Sequence, residues 1–221
     1  MKAIETSSLY DLSHTLAAPY LAECQYPWQA LPQIGNWIRE LGQSLSPEEY
    51  EQRAENVWVA RSAKVFPSAY IDGPAIIGPG TEVRHGAFIR GNALVGAGCV
   101  VGNSTELKNV ILFDRVQVPH YNYVGDSILG VGAHMGAGSI TSNVKSDKTL
   151  VKVRTGEELL PTGLKKFGAM LGDFVEIGCN SVLNPGTVVG RGSVVYPLSM
   201  VRGVVPQNSI YKHAGEIAGK K

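Results

Sequence analysis

The sequence predicts an all-β fold, a parallel β-helix, because aliphatic residues recur at every sixth position over two long runs. These anchors are Val65, Ile71, Ile77, Val83, Ile89, Val95, Val101, Leu107, Leu171, Ile177, Leu183, Val189, Val195 and Val201. An α-helix repeats near 3.6 residues and a simple strand near 2, so neither produces a sustained period of six. A parallel β-helix does, because each hexapeptide forms one short wall and successive walls stack into a solenoid.

A small residue follows most anchors by four positions, as Ala75, Ala87, Ala93, Ser181 and Thr187 do. The pattern resembles the left-handed β-helix of hexapeptide-repeat acyltransferases, a triangular solenoid in which three hexapeptides complete one coil. The resemblance implies that the aliphatic anchors point inward and that the small residues fit where the walls bend. Positions eighteen apart would then lie above one another, separated by roughly 4.8 Å.

Composition restricts the classes of function. The chain has 221 residues, a net charge of +1 and 44% hydrophobic residues, which suits one large domain or one domain with an appendage. We expect no membrane span and no signal peptide, and the near-zero charge gives no reason to expect nucleic acid as a partner. Cys24, Cys99 and Cys179 lack any CxxC spacing, so we expect reduced thiols in a cytoplasmic protein.

The N-terminal region does not repeat and is interpreted as a helical cap, residues 1–56, that covers the open first coil. Ser46-Pro47-Glu48-Glu49 forms a capping box that predicts a short helix to about Glu55. The apolar spacing predicts a second helix that begins near Leu31 or Ile34. A docking surface for another protein is the alternative interpretation of this region.

The repeat becomes irregular between Leu107 and Leu171. We predict a solenoid over residues 57–205 with an inserted loop at about 141–170, followed by a C-terminal tail at 206–221. In repeat proteins such insertions lie on one face, which often binds a ligand. A loop of this length is unusual without a functional reason, although tolerated decoration is the alternative.

Stacking eighteen residues apart brings polar residues into columns. Arg90 and Lys108 each follow an anchor directly, so they should lie one above the other, and two such cations repel unless an anion lies between them. That anion would be a phosphate or a carboxylate. His85, Asn103 and His120 form a second column. For any one of these residues alone, a solvated surface side chain is the simpler interpretation.

These polar residues belong to short motifs with a recognisable spacing. The motifs are Arg90-Gly91, Asn103, Glu106-Leu107-Lys108, His120, Tyr123-Val124-Gly125-Asp126 and the segment 136–143. They resemble the acetyltransferase half of the bacterial bifunctional N-acetylglucosamine-1-phosphate uridyltransferase, and the resemblance covers residues 65 to about 205. No glycine-rich phosphate loop of a nucleotidyltransferase occurs in the sequence.

The resemblance implies direct acetyl transfer from acetyl-CoA, as co-substrate, to an amino sugar phosphate. His120 would be the general base, a role that suits imidazole near neutral pH. Arg90 and Lys108 would hold the sugar phosphate, while Tyr123 and Asn143 would order the sugar. No covalent enzyme intermediate is needed.

Further positions are implied for the coenzyme. Gly138, Lys166 and Cys179 would bind coenzyme A, and a backbone N–H between Gly136 and Gly138 would stabilise the oxyanion. No metal is expected. The resemblance also implies a homotrimer, because the family's active site lies between neighbouring solenoids.

The chain departs from the family's pattern on the sugar side. His134 stands where the family has an asparagine near the sugar, Val144 replaces a tyrosine, and Cys179 replaces a serine near the coenzyme. Glucosamine 1-phosphate or a relative is therefore the expected acceptor class, with the acyl group also open. One alternative is a sugar-phosphate-binding or scaffold protein without turnover.

A second alternative is a γ-type zinc carbonic anhydrase, which shares the solenoid and binds zinc through three histidines. His85 and His120 have the spacing of its first two ligands, but Gly125 stands at the third position. A catalytic zinc site needs three protein ligands and an open position, so this alternative lacks a ligand.

Overall fold

The computed structural model describes residues 2–156, 158–212 and 215–220. Their main body is a parallel β-solenoid, which confirms the fold predicted from the six-residue period. Each coil runs from a first wall to a second and then to a third, and the strands β1–β25 are numbered in chain order. Register confirms the stacking, since Ala75 pairs with Ala93, eighteen positions further along.

The first wall stacks β2 (Val57–Ala60), β5 (Ala75–Ile77), β8 (Ala93–Val95), the ends of β10 (Glu106–Leu112) and β12 (Tyr123–Leu129), β17 (Ala169–Leu171), β20 (Thr187–Val189) and β23 (Val204–Val205). The second wall stacks β3 (Lys64–Val65), β6 (Glu82–Val83), β9 (Val100–Asn103), β11 (Gln117–His120), β13 (His134–Met135), β18 (Glu176–Ile177), β21 (Val194–Val195) and β24 (Ser209–Tyr211). The third wall stacks β4 (Tyr70–Asp72), β7 (Phe88–Arg90), the beginnings of β10 and β12, β14 (Ile140–Thr141), β19 (Val182–Leu183) and β22 (Met200–Val201).

The aliphatic anchors point into the solenoid, as the period predicts. From Ile77 onward the predicted anchors are buried, whereas Val65 and Ile71 of the first coil are only half-buried. The small residues occupy the bends, where Thr81 donates its hydroxyl to the Gly96 carbonyl (2.7 Å) and accepts the Cys99 N–H (2.9 Å). Burial of the anchors and satisfaction of the backbone at each bend together stabilise the coils.

Two strands run around a corner without interruption. β10 and β12 bend at Asn109 (φ 57°) and Asp126 (φ 48°), where the backbone enters the left-handed region. Asparagine and aspartate tolerate that region better than most residues. These bends account for the two places in the sequence where the interval between successive aliphatic anchors shortens from six residues to five.

The N-terminal region contains α1 (Thr6–Leu9), α2 (Ala18–Ala22) and α3 (Ile34–Ser44), joined by 3₁₀ segments. The helix predicted to begin near Ile34 is confirmed. It packs against β5, β8 and β10, along the side of the first wall. The predicted position over the open first coil is therefore wrong for this helix.

A row of outward apolar residues explains this placement. Strand residues alternate between faces, so the residue before each inward anchor of the first wall points outward. In this wall those residues are apolar and buried, namely Ile76, Leu94, Ile111, Ile128, Met170 and Val188. The first wall thus has two apolar faces. The N-terminal region packs on the outer face over β5 to β12, and the strand Lys152–Thr155 of the inserted loop packs against β20 and β23.

The helix predicted from Ser46 to about Glu55 is wrong. One turn forms, in which the Tyr50 N–H donates to the Ser46 carbonyl (2.9 Å), and β1 (Tyr50–Ala54) follows. β1 pairs antiparallel with β2 around Asn56, which has a φ of 55°. Pairing with the edge of the solenoid outweighs the local capping signal, because an uncovered edge leaves backbone groups unpaired.

The inserted loop leaves the stack unbroken. Ile140 pairs with Val182, forty-two positions away, so the coil resumes directly above its predecessor. The loop contains an antiparallel hairpin of β15 (Lys152–Thr155) and β16 (Glu158–Pro161). At the other end, β25 (Ile217–Gly219) pairs antiparallel with β24.

No helix within the described ranges has the length and apolar character needed to cross a membrane. All three cysteines are free thiols, with Cys99 buried, Cys24 half-buried and Cys179 exposed.

Candidate functional site

Polar side chains converge where the third wall turns into the first, over four successive coils. We call this set the corner cluster; it comprises Arg90, Glu106, Lys108, Asn109, Tyr123, Asp126 and Asn143. Register places Lys108 beside Gly125 of the next coil, so the bends of β10 and β12 bring these side chains together.

The buried carboxylate of Asp126 is the centre of the cluster. It accepts hydrogen bonds from Lys108 Nζ (3.0 Å), Asn109 Nδ2 (2.9 Å) and Asn143 Nδ2 (2.5 Å). The Asn109 amide also donates to the Leu31 carbonyl at 3.2 Å, which ties the N-terminal region to the cluster. Three donors, one of them charged, offset the cost of burying this carboxylate.

Arg90 forms the outer part of the cluster. Its guanidinium donates to Glu106 Oε1 at 2.6 Å, and the two side chains are 47% and 31% exposed. Each of the two cations thus has an anionic partner within the chain, Glu106 for Arg90 and Asp126 for Lys108. These partners relieve the expected repulsion between the two cations. Because the Arg90 pair faces solvent, exchanging Glu106 for a bound anion costs far less than separating the buried Lys108 pair.

Tyr123 crosses the face of the third wall to reach the cluster. Its hydroxyl accepts a hydrogen bond from Asn143 Nδ2 at 3.1 Å. Partial burial, followed in importance by the charge of Asp126, raises the pKa of Tyr123. The phenol therefore stays protonated and can donate to a ligand. Tyr123 and Asn143, which are both predicted to order the sugar, thus contact each other, and their contact with a sugar stays a prediction.

His120 lies at the opposite end of the third wall, where the second wall ends. It pairs in register with Asn103, and the predicted column continues to His85, whose Nδ1 contacts Ser68 Oγ at 2.6 Å. The His120 side chain is exposed, and no hydrogen bond to it occurs among the described residues. A free imidazole at an exposed corner is available to a ligand, and Tyr123 lies between it and the cluster.

Two of the positions predicted for the coenzyme lie on the His120 corner. The Gly138 N–H donates to the His120 carbonyl (3.0 Å), and the Asn180 N–H donates to the Ala137 carbonyl (2.8 Å). The register aligns His120 with Ala137 and Ala137 with Cys179, so these three residues form one column. Gly138 is the next residue after Ala137 and lies beside that column.

Lys166 lies elsewhere. The next residue, Phe167, donates its N–H to the Asn143 carbonyl at 2.9 Å, which places Lys166 beside the corner cluster. The structure thus brings Lys166 to the predicted phosphate side and not to Gly138 and Cys179.

His134 is not brought into the cluster. It begins the second wall, at the far end of that wall from His120, and its Nδ1 contacts Glu176 Oε2 at 2.7 Å. A ring held by Glu176 at this corner is poorly placed to contact a sugar near Tyr123.

Sequence reasoning assigned no role to Glu106, Asn109 and Asp126. Spacing alone does not identify Asp126, because the five-residue step from Leu107 to Leu112 puts Gly125, and not Asp126, beside Lys108. The contact arises from the bends of β10 and β12.

Within the described ranges, no group of three or more His, Cys, Asp or Glu side chains is arranged to hold a metal ion. His85 and His120 have the coil of Asn103 between them, so their backbones lie roughly 10 Å apart in the stack.

A solenoid of stacked hexapeptides with polar side chains gathered at its corners defines a class, the hexapeptide-repeat proteins. Residues 71–188, more than half of the chain, match the family described as the GMPPB C-terminal domain. The chain belongs to that family.

Relatives confirm the resemblance stated from the motifs. The bifunctional protein GlmU of Methanococcus aeolicus is 34% identical over 177 residues, 72% of this chain and 43% of that protein. A bifunctional sugar-1-phosphate nucleotidylyltransferase/acetyltransferase of Sulfurisphaera tokodaii is 27% identical over 87% of this chain and 49% of its own length. The chain thus spans about half the length of these relatives.

The chain is also similar to proteins of known structure. A hexapeptide transferase family protein from Anaplasma phagocytophilum is 18% identical, with a TM-score of 0.43 over 75% of this chain and 80% of that chain.

Proposed function

We propose that this chain is an acyltransferase that moves an acetyl group from acetyl-CoA to the amino group of a sugar phosphate. The acceptor would be glucosamine 1-phosphate or a relative. The corner cluster carries this proposal, because it gathers two cations, a phenol and an amide of the motif residues at one corner, from four successive coils. Family membership and the acetyltransferase named among the relatives support it.

The acceptor would lie along the third wall. Its phosphate would exchange with Glu106 at Arg90 and approach Lys108, while Tyr123 would contact the sugar. The amine would then point toward His120 at the other corner. The wall supplies both ends of such a ligand from adjacent coils, which fixes their separation.

In the reaction, the amine nitrogen attacks the thioester carbonyl carbon and His120 takes the proton that the nitrogen loses. The C–S bond then breaks, and the coenzyme leaves as a thiol once it receives a proton. The oxyanion of the intermediate would be stabilised by a backbone N–H of the segment 136–138. The chain's own part is to orient the amine and to hold one proton at His120.

The test is release of free coenzyme A in the presence of a panel of amino sugar phosphates. We expect His120→Ala to lower turnover by about 10²–10⁴-fold with little change in acceptor affinity, since a general base acts mainly in the transition state. His85→Ala, two coils away in the same column, is the matched control. Full activity of His120→Ala would show that the base is assigned wrongly.

Arg90→Gln should weaken acceptor binding most, because Arg90 is exposed and its loss removes a charge-assisted contact to phosphate. Lys108→Ala is a poorer probe, since it leaves the Asp126 carboxylate buried without its cation. Stability should therefore be measured for both variants. Arg90→Gln with unchanged acceptor affinity would remove Arg90 from the site.

A second candidate function is sugar-phosphate binding without turnover. The observation that favours it is that both clamp cations are already paired and that His134 is held by Glu176. Sugar-phosphate binding in calorimetry, weakened by Arg90→Gln but without coenzyme A release for any acceptor, would identify this function.

We also propose a homotrimer in the cytoplasm. Reduced thiols suit that compartment. Large apolar side chains are exposed on the third wall, including Tyr70, Phe88 and Met200. Threefold packing through this wall would cover them and place a neighbour beside the His120 corner.

A further inference from the structure

A second polar site lies farther along the corner that carries the corner cluster. A cavity of about 720 Å³ separates the inserted loop from the coils of β14, β19 and β22. Its lining includes four basic residues, Lys145, Lys152, Arg154 and Arg202. We call this cavity the basic basin. It shares no residue with the corner cluster.

Two glycines allow the hairpin to form one side of the basin. A Cβ on Gly186 would lie 2.9 Å from the Lys152 carbonyl oxygen, and one on Gly203 would lie 2.9 Å from that of Arg154. Both glycines have positive φ angles, 82° and 76°. β15 is thus held against the corners of two coils at distances that other residues would not permit.

The hairpin is also fixed by its apolar face. Val151 and Val153 are fully buried, while the alternating Lys152 and Arg154 are exposed. The positions of the two cations therefore follow from a docked strand. A site on such an element is better defined than one on a free loop.

Most of the positive charge in the basin is uncompensated. Lys145 contacts Asp147 (3.1 Å) and Thr149 (2.5 Å). In the part of the chain that the structure describes, the side chains of Lys152, Arg154 and Arg202 have no hydrogen-bond or ion-pair partner. Three cations around one cavity repel one another, and an anion with several negative charges relieves that repulsion.

The basin is not lined by charge alone. Leu150 and Leu159 line it too and are 52% and 49% exposed, which is unusual for leucine. A ligand with both a polyanionic group and a flat apolar ring would satisfy both parts of the lining. The volume is in the range of sites for ligands of nucleotide size.

We propose that the basic basin binds the diphosphate of a nucleotide, with Arg154 and Arg202 on the phosphates and Leu150 and Leu159 against the base. The same chemistry is present in the adenosine diphosphate part of coenzyme A and in a nucleotide-linked sugar. Binding at the basin does not depend on acyl transfer, so it can be measured whether or not the proposed reaction occurs.

The test is titration calorimetry of the full chain with ADP, UDP, coenzyme A and inorganic pyrophosphate. We expect Arg154→Gln and Arg202→Gln each to weaken binding of ADP and pyrophosphate about tenfold or more, and added salt to weaken it further. Arg39→Gln, an exposed arginine on α3, is the matched control. Binding that neither variant weakens, or no binding to any probe, would overturn the proposal.

Leu159→Ala separates a nucleotide from a simple anion. It should weaken ADP binding and leave pyrophosphate unchanged, because only the base contacts the leucine. Equal loss for both probes, or loss for neither, would contradict the assignment of the base. If Arg202→Gln weakens binding of coenzyme A more than binding of UDP, the coenzyme is the source, and the reverse order identifies a nucleotide-linked sugar. Thermal unfolding of each variant verifies that the fold is retained.

Discussion

At the scale of single residues, Gly125 decides whether Tyr123 can reach the corner cluster. A Cβ at Gly125 would lie 2.5 Å from the Tyr123 hydroxyl oxygen, so the ring of Tyr123 lies across the position that any side chain would occupy. The ring can turn away toward solvent, whereas the backbone of the coil cannot move. Glycine at this position thus serves the site rather than the fold.

We therefore expect Gly125→Ala to displace the Tyr123 ring and break its hydrogen bond with Asn143. Stability should change by no more than about 1 kcal/mol, because the ring end is mobile. Since burial raises the pKa of Tyr123 in the native protein, the phenol should titrate nearer its usual value in the variant. Ultraviolet titration of Gly125→Ala against Tyr123→Phe measures this, and an unchanged tyrosine titration would contradict the argument.

The sequence predicted which residues share a corner but not which of them pair. Arg90 and Lys108 stack as their spacing requires, yet the anions beside them are Glu106 and Asp126. Spacing determines the coil and the wall of a residue, whereas side-chain pairing depends on the bends at Asn109 and Asp126. His134 shows the same limit, since it was predicted to lie near the sugar, whereas the structure places it at another corner beside Glu176.

At the scale of elements, one carboxylate joins the N-terminal region to the solenoid. Asp173 is fully buried and accepts the N–H groups of Asp11 (2.8 Å) and Val131 (3.0 Å) and the guanidinium of Arg191 (2.8 Å). Its own N–H donates to the Leu9 carbonyl at 3.0 Å. The chain before α2 is thus fixed to a coil more than 160 residues away.

We expect Asp173→Ala to lower the free energy of unfolding by about 3–5 kcal/mol, because it leaves Arg191 and two backbone donors without their acceptor. Residues near Asp11 should also become sensitive to proteases. Denaturant titration and limited proteolysis measure both effects, with the exposed Asp72→Ala as control. A loss no larger than that of Asp72→Ala would show that the carboxylate does not join the two parts.

The same residue gives a pH dependence. Burial is the main cause that raises the pKa of Asp173, so the folded protein holds this proton at a higher pH than the unfolded chain does. The part of the stability that comes from this difference in proton binding is complete below the ordinary carboxyl pKa, near 3.8, and is lost as the pH rises through the folded value. The stability of the native protein relative to Asp173→Asn should therefore fall as the pH rises above about 4. A difference that grows with pH would show that Arg191 dominates instead.

The position of the N-terminal helices was within reach of the sequence. Apolar residues directly before the anchors, such as Ile76 and Leu94, occur in the first wall and indicate a wall that is covered on its outer side. The strand at Tyr50–Ala54 could not be predicted from the sequence. The local signal at Ser46 is a good helix start, and the strand forms only because it pairs with β2, which is a tertiary contact.

At the scale of the whole molecule, the exposed apolar side chains of the third wall predict assembly. We expect light scattering at micromolar concentration to give three times the 23.6 kDa of one chain. Phe88→Glu should shift the protein toward the monomer, since Phe88 is 40% exposed on this wall and a charge there cannot be buried cheaply. Lys64→Glu on the second wall is the control. A monomeric native protein would contradict the trimer.

The location of the insertion follows from the period, because the six-residue spacing stops and resumes there. The solenoid ends later than the predicted limit of 205, since β24 still stacks in parallel on β21. The basic basin cannot be predicted from the period. It depends on how the hairpin folds back onto Gly186 and Gly203, and neither composition nor period encodes that contact.

Because the register is unbroken across the insertion, the backbone positions along the corner of the third and first walls are separated by whole coils. Each coil adds roughly 4.8 Å to the distance between them. The corner cluster and the basic basin are therefore separated by a length that point substitutions cannot adjust. Only the gain or loss of a complete coil would change this distance. A ligand that contacts both sites must therefore have the matching length, whatever its chemical groups.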